Sequence, residues 1–536
     1  MEKLFQHPRK VPFRIIFLLI VPAFFLFFAL PFPRTHFGND PEYAYLMNGL
    51  NIGMLKPVGH TDHPGTTVQI YGSLILRGEY LLQPEKSEGF EEHVLSHADQ
   101  YIELERKGLI ILNGLMLFVL GLLSFLMLRN AWLSLLLQLM PFVSVTLTEH
   151  TFTKVAPEPV LLMAVAVFVL LLLRYYLSQD KGNKKFVFSF SAVTALGLVT
   201  KVTFLPLVAI PLIIFNSWKV RKQFLFWLVP FTLLFTIPAL PQYPHTAKWF
   251  LGLIAHTGIY GEGGLGVINP VRYILDLGGI VVNNPVLIFT MLAASFIIFV
   301  SLINNSFRSE LRNNLNFRFL FALLIAGTLG VLMVAKHYLA NHYIIPELCL
   351  MAPTWIFIFF YLKEKVNEKY CSVIRWIPLL LLLISAGMVF SNAAYLKEAD
   401  KGYRDSNSEY EKMTAVLDKD YSGFTRIYYY PTSVNIYSGL RWGNVYSKMI
   451  HTGALQQVFP QGYFFDTRRN CFYFWETPLA LQTMASISKG KLLIIGGPFD
   501  EGERMKIEQC GIKLTPVFKG RTQIVYSVEL PAINKD

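Results

Sequence analysis

Charged side chains are scarce in this sequence. Asp, Glu, Lys and Arg make up 16% of the 536 residues, whereas a soluble domain carries about 25%. Hydrophobic residues make up 53%, and the mean hydropathy is +0.42. This composition excludes an ordinary soluble protein and favours one whose larger part lies in a membrane.

Cysteine is equally rare, with four residues in the chain. The sequence has no CxxC pair and no Cys/His spacing typical of zinc, so it predicts no metal ligands of that kind. Cys471 and Cys510 lie in a predicted external domain, where an oxidising compartment would allow a disulfide. Two unpaired thiols fit the sequence equally well.

Eleven segments are apolar and close to the length of about 20 residues that crosses a bilayer. They lie near residues 13–31, 109–128, 131–148, 159–177, 186–200, 202–216, 223–240, 284–303, 318–335, 344–362 and 374–391. We interpret the first as a span, because PFPRTHFGND follows it instead of a small-residue cleavage site.

The net charge of +12 does not indicate nucleic-acid binding, because Lys and Arg lie mostly in short loops between the apolar segments. With a cytoplasmic N-terminus and eleven spans, every basic cluster falls on the cytoplasmic side, as the positive-inside rule requires. The segments predicted outside the cytoplasm are 32–108, 149–158, 241–283, 336–343 and the tail 392–536. We predict an integral protein of the cytoplasmic (inner) membrane with an extracytoplasmic C-terminal domain.

Residues 1–391 form the predicted helical membrane domain, and residues 392–536 form the soluble domain. In the tail, FTRIYYYP, KLLIIGGP and RTQIVYSVEL have the composition of strands. Polar, helix-compatible stretches lie between them, so the tail is predicted to be a small α/β domain. In the external loops, the apolar stretch 67–82 and the segment 241–283 predict helices that lie in the membrane interface.

Ionisable residues at membrane depth are costly and often functional, and here they collect on the external side. They are Asp40, Glu42, His60, Asp62, His63, Glu149, His150, Lys154, Glu158, Lys201, His256, Tyr260, Lys336, His337, His342 and Tyr343. A carboxylate can take a proton from an acceptor hydroxyl or amine. Lys, His and Tyr can hold a phosphate leaving group, so the set fits glycosyl transfer from a lipid phosphate.

Structural roles compete with this interpretation at three positions. Asp40 precedes Pro41 and fits a helix N-cap. Glu158, between two prolines, fits an acid stabilised by a helix dipole. Lys201 at a span end fits a snorkelling side chain.

The chain resembles GT-C class glycosyltransferases, in particular the bacterial enzymes akin to protein O-mannosyltransferases and the lipid A aminoarabinose transferase. Those enzymes carry Asp-Glu-x-Arg-Tyr-Ala after the first span, where this chain has Asn39-Asp-Pro-Glu-Tyr-Ala44. Aligned on Tyr-Ala, the first acid becomes Asn39, the second Asp40, and the Arg becomes Glu42. The resemblance thus implies Asp40 as the base, with Glu42 as the alternative.

Further matches follow in order. DHPGT (62–66) lies where the family has Glu-Lys-Pro-Pro-Leu, with His63 in place of Lys. APEPVLL (156–162) places Glu158 at the family's second acid, and GLVTK (197–201) resembles Gly-Leu-x-x-Leu-Thr-Lys, two residues shorter. HTGIY (256–260) and HYIIP (342–346) resemble a helix-borne His and Arg-Tyr-x-x-Pro.

The resemblance implies an inverting transfer from a polyprenyl-phosphate sugar to a lipid, glycan or protein acceptor outside the cytoplasm. Lys201, His63 and Tyr343 would hold the phosphate, together with a second set of donor-binding candidates: His256, Tyr260, Lys336, His337 and His342. The branch requires no cofactor, whereas oligosaccharyltransferases of the class use a divalent cation, so metal dependence stays open.

Two other functions compete with this one. A surface polysaccharide ligase or polymerase with a lipid-diphosphate donor shares many of the same features. A transporter of lipid-linked solutes predicts ionisable residues at the midplane and an inverted repeat, and the sequence has neither.

Overall fold

The computed structural model describes residues 11–33, 41–62, 64–83, 88–258, 263–304, 306–336, 340–365, 371–430, 435–466, 468–496, 505, 507–509 and 512–529. The α-helices in these ranges are α1 (Val11–Leu18), α2 (Ile20–Ala29), α3 (Glu42–Gly53), α4 (Thr66–Leu82), α5 (Phe90–Ser96), α6 (Ala98–Leu128), α7 (Ala131–Leu139), α8 (Val145–Thr153), α9 (Pro157–Leu177), α10 (Lys184–Thr200), α11 (Ala209–Ile214), α12 (Trp218–Phe235), α13 (Tyr243–Ala255), α14 (Pro270–Asn283), α15 (Pro285–Asn304), α16 (Phe307–Asn313), α17 (Leu315–Ala335), α18 (Ile345–Lys365), α19 (Cys371–Ile374), α20 (Ile377–Asp420), α21 (Ile436–Tyr446), α22 (Thr452–Val458) and α23 (Leu481–Ser488). The strands are β1 (Thr425–Tyr430), β2 (Tyr463–Asp466), β3 (Cys471–Phe474), β4 (Thr477–Leu479), β5 (Leu492–Gly496), β6 (Lys513–Lys519) and β7 (Ile524–Glu529).

The eleven predicted spans all fall on helical segments, but the predicted spans 131–148 and 223–240 are each broken by a bend of more than 40°. Within the described residues, six helices are long and apolar enough to cross a membrane alone: α6, α9, α15, α17, α18 and α20. Two bent pairs raise that number to eight, and shorter apolar helices cover Ile15–Ala29 and Val202–Ile214. The fold-class prediction, a polytopic helical membrane protein with a C-terminal α/β domain, is confirmed.

Local sequence explains where several of these helices begin. The Asn130 side chain accepts hydrogen bonds from the N–H groups of Trp132 and Leu133 and so caps α7. Asn435 caps α21 in the same way through the N–H of Ser438. Pro157 occupies the first turn of α9, where its missing N–H is not needed.

The C-terminal sheet has seven strands in the described part of the chain, ordered β4-β3-β2-β1-β5-β7-β6. β1 runs parallel to both β2 and β5, and the outer pairs are antiparallel. The three strands predicted from the sequence are β1, β5 and β7. Below, the side of the membrane that carries this sheet is called the domain side.

The last span does not stop at the predicted domain boundary near residue 391. α20 continues as one helix of 44 residues to Asp420 and leads directly into β1. The polar second half of α20 keeps helical propensity after the apolar run ends, so hydropathy detects the end of the span but not the end of the helix. Cys471 is a free cysteine, which favours the unpaired alternative, and Cys510 lies outside the described residues.

The segment 241–283, expected to lie in the interface, leaves the bundle at a sharp angle. The helical segment Ile237–Ala255 is bent by 86° from α12. On α14, Val271, Ile274 and Leu275 are each about two-thirds exposed and share one face at helical spacing. An exposed apolar stripe next to spanning helices is typical of a helix that lies in the plane of the interface.

We therefore expect nitroxide labels on Leu251→Cys and Leu275→Cys, in a background without the native cysteines, to contact the acyl chains of a proteoliposome. Burying a Leu-sized side chain stabilises by about 1.5–3 kcal/mol, which favours insertion. Power-saturation EPR should show that oxygen relaxes these labels more than a water-soluble nickel chelate does. A label on Ser309→Cys, on the exposed face of α16, is the aqueous control, and equal behaviour at all three sites would rule out insertion.

Candidate functional site: a buried ion pair beside two histidines

Glu158 lies in the first turn of α9, where the helix dipole favours an acid. Its side chain is buried, with 3% of the residue exposed. The Lys201 ammonium donates a short hydrogen bond to Glu158 Oε1. Desolvation of two opposite charges is tolerated only because each neutralises the other.

Lys201 follows directly after the last residue of α10. Its backbone is extended, with φ −158° and ψ 136°, so the chain leaves the helix here. Lys201 is 2% exposed, and its Nζ lies 4.6 Å from the centroid of the Tyr343 ring. The alternative that Lys201 snorkels to water is wrong, because a snorkelling side chain would expose its ammonium.

His342 and Tyr343 reach the same place from a short 3-10 helix, Asn341–Ile344, that precedes α18. His342 Nε2 lies 4.0 Å from Glu158 Oε1. The His342 ring is 4.3 Å from the Tyr343 ring and 4.8 Å from the His150 ring, measured between centroids. The buried pair is thus bordered by two imidazoles and a phenol.

The first external loop is hydrogen-bonded to Thr200, the residue before Lys201. The Gly65 N–H donates to the Thr200 carbonyl over 3.1 Å, and the Thr67 hydroxyl bonds to the Thr200 hydroxyl at 2.9 Å. Gly65 has φ +63°, and a Cβ at this position would lie 2.6 Å from the Tyr45 ring. Only glycine fits this turn, which brings the start of α4 against the end of α10.

Glu42 connects the start of α3 to the same region. It is 5% exposed, and its Oε1 accepts the Val155 N–H over 3.2 Å, three residues before Glu158. The neighbouring Tyr43 hydroxyl donates to Asp99 over 2.6 Å. Glu42 therefore has a structural task, which is to hold the first turn of α3 on the segment that leads into α9.

Other predicted donor-binding residues make different contacts. His256 forms an isolated antiparallel bridge with Leu265, and its Nδ1 is 3.0 Å from the Gly263 carbonyl oxygen. The Lys336 ammonium donates to the carbonyls of Leu253 and Ile254, at the C-terminal end of α13. The candidates outside the described residues are Asp40, His63, Tyr260 and His337.

One member of the cluster was not among the predicted site residues. The sequence places His150 only in the external loop that contains Glu158. Its position beside His342 depends on how α8 packs against the 3-10 helix. Within the described ranges, no three His, Cys, Asp or Glu side chains are grouped as metal ligands would be. Chemically, the cluster offers an ammonium, two imidazoles and a phenol, which are suitable groups for holding a phosphate.

Comparisons with known proteins agree with this architecture. No family model matches the sequence, and no curated protein sequence matches it either. Among solved structures, apo ArnT from Cupriavidus metallidurans superposes with a TM-score of 0.50 and covers 96% of this chain and 97% of its own. The chain has the GT-C fold of ArnT.

Sequence identity to ArnT is only 11%, so the comparison shows the fold alone. ArnT from the same organism bound to undecaprenyl phosphate is also similar, with a TM-score of 0.46 and the same coverage and identity.

Proposed function

We propose that this protein is a membrane glycosyltransferase that moves a sugar from a polyprenyl-phosphate donor to an acceptor on the domain side of the cytoplasmic membrane. The observation that carries the proposal is the buried Lys201–Glu158 pair, bordered by His342 and Tyr343, next to the turn of the first external loop at Gly65. The shared fold with ArnT, which has been solved with undecaprenyl phosphate, supports a lipid phosphate as the leaving group.

In the proposed reaction, an acceptor oxygen or nitrogen attacks the anomeric carbon of the donor sugar. The bond from that carbon to the phosphate oxygen breaks, and polyprenyl phosphate leaves with the electron pair. A single displacement inverts the configuration of the anomeric carbon. Asp40 takes the proton of the acceptor.

Lys201 stabilises the charge that develops on the departing phosphate, and it acts in a region with little water, where such an interaction is strong. Glu158 accepts a hydrogen bond from the Lys201 ammonium. We therefore propose that Glu158 orients this ammonium and does not transfer a proton. His342 and Tyr343 supply further hydrogen-bond donors beside the phosphate. The proposed mechanism needs no metal ion.

The positive-inside pattern supports a cytoplasmic N-terminus and an extracytoplasmic acceptor. The donor would then be made on the cytoplasmic face and flipped before use. The apolar surfaces of α12 and α15 are suited to contact with bilayer lipid, since Phe226 and Phe289 are each more than 60% exposed.

The test is transfer of radiolabelled sugar by purified protein in proteoliposomes, supplied with polyprenyl-monophosphate sugars or with polyprenyl-diphosphate sugars. We expect consumption of a monophosphate donor and release of polyprenyl phosphate, with no consumption in liposomes that lack the protein. Use of diphosphate donors alone would replace the proposal with a polysaccharide ligase or polymerase. Passage of intact donor across the bilayer without sugar release would replace it with a transporter.

A further inference from the structure

The C-terminal domain rests directly on α3, the helix that begins two residues after Asp40. Two glycines of α21 permit this contact. A Cβ at Gly439 would lie 2.3 Å from the Tyr43 ring, and one at Gly443 would lie 2.4 Å from the Tyr43 carbonyl oxygen. Both distances are shorter than any real contact, so α21 touches the backbone of α3 only because these residues are glycine.

Polar contacts extend the same interface. The Asn48 amide on α3 donates to the Tyr446 carbonyl at the end of α21 over 3.3 Å. Its oxygen accepts the Gly59 N–H over 2.6 Å, which ties the following loop to the same residue. The position of α3 is therefore set jointly by the first external loop and by the C-terminal domain.

His451 stands at the centre of this interface and is fully buried. It lies between α21 and α22, and its two ring nitrogens face two different elements. Nδ1 is 2.6 Å from Glu91 Oε1 on α5, and Nε2 is 3.3 Å from the Met47 carbonyl oxygen on α3. A carbonyl oxygen only accepts, and so does an ionised carboxylate, so a ring that carries both protons satisfies both contacts.

Two further contacts surround the pair of His451 and Glu91. Lys56 Nζ lies 3.9 Å from Glu91 Oε2, and the backbone N–H of His451 donates to the Asn444 side chain over 3.1 Å. The hydrogen bond from His451 lowers the pKa of the Glu91 carboxyl below its ordinary value, against the effect of burial, with further help from the charges of His451 and Lys56.

We propose that His451 is a positioning residue: its ring nitrogens bond to α5 and α3 and clasp both helices to the C-terminal domain, which fixes the helix that follows the proposed base Asp40 in the chain. The catalytic part of this inference rests on the proposed function. The clasp itself, a hydrogen-bonded contact between Glu91, His451 and Met47, does not.

The clasp has an acid limit that follows from Glu91. The pKa of Glu91 is depressed in the folded protein, so the contribution of its carboxylate is present above the ordinary carboxyl pKa and is lost as the pH falls through the folded value. The clasp is therefore expected to weaken in acid.

The first test measures hydrogen–deuterium exchange of residues 42–53 at one pH in detergent, without substrate. We expect His451→Gln and Glu91→Gln each to speed exchange by about tenfold or more, since a hydrogen bond to a charged partner is lost. His451→Arg keeps the charge and the donors and should restore part of the protection. His97→Gln on the neighbouring turn, whose ring bonds locally to Ser96 and His93, is the matched control.

A double variant decides whether the two residues act together. His451→Gln with Glu91→Gln should exchange no faster than either single variant, because the same contact is lost in each case. Additive effects, or single variants that exchange like His97→Gln, would overturn the clasp. Each variant is first compared with wild type by size exclusion and thermal unfolding, and protection in β1 reports whether the C-terminal domain itself is intact.

The second test uses transfer activity. A positioning role predicts that His451→Gln has a lower kcat with an unchanged KM for the donor, and that His451→Arg regains part of the kcat. Faster exchange in the variants of a protein whose wild type transfers no sugar would leave the clasp standing and refute the proposed function. A normal kcat in variants with fast exchange would overturn the positioning role alone.

Discussion

Lys201→Met is expected to abolish sugar transfer and to destabilise the membrane domain by about 3–5 kcal/mol, the usual effect of leaving one member of a buried ion pair without its partner. The change removes the ammonium that neutralises Glu158, a residue with 3% exposure in the first turn of α9. It also removes the cation proposed to stabilise the leaving phosphate. Donor turnover and equilibrium unfolding in detergent would measure the two effects.

A double variant separates stability from chemistry. Lys201→Met with Glu158→Gln removes both charges, so most of the lost free energy of unfolding should return while transfer stays absent. Lys107→Met is the matched control, because Lys107 pairs with Glu103 at 3.2 Å but is half exposed, and an exposed pair contributes less than about 1 kcal/mol. Recovery of transfer in the double variant would show that Lys201 serves the fold and not the leaving group.

Asp40→Asn is expected to lower kcat by about 10²–10⁴-fold, the range for loss of a general base. The donor KM should change little, because the lipid phosphate is held by other groups. The N-cap residue of α3 is Pro41 and not Asp40, contrary to the helix-cap interpretation, and Asn keeps the size of Asp, so the fold should persist. Single-turnover transfer from the labelled donor would measure the chemical step directly.

Glu42→Gln is the control that distinguishes the two candidate bases. The Gln side-chain oxygen can still accept the Val155 N–H that Glu42 accepts at 3.2 Å, so this variant should keep most of its activity. If Glu42→Gln instead showed the large loss and Asp40→Asn did not, the base would be Glu42, and the one-position shift against the GT-C motif would need another explanation.

Several features of the fold could be predicted from sequence because the signals are local. An apolar run predicts each span. Short runs rich in β-branched and aromatic residues, bounded by turn residues, predict β1, β5 and β7. The strands β2, β3, β4 and β6 were missed because they are short or interrupted by polar residues. Such strands are stable only through pairing with neighbours that lie elsewhere in the chain.

The candidate site shows a similar division. Glu158 and Lys201 were both predicted on one side of the membrane, yet their direct contact joins residues 43 positions apart. His256 and Lys336 lie on the same predicted side, but His256 contacts the Gly263 carbonyl oxygen and Lys336 donates to the Ile254 carbonyl at the end of α13. Placement on one side of the membrane fixes the depth of a residue along the membrane normal. Its position in the membrane plane depends on how the helices pack.

The sequence by itself determined that this is a helical membrane protein with a C-terminal α/β domain, because hydropathy and charge act residue by residue. Only the tertiary structure decided that Lys201 meets Glu158, that His150 joins His342, and that His451 reaches α3 and α5. These contacts depend on helix crossings and on glycines that allow close approach, and such geometry exists only once the whole chain is packed.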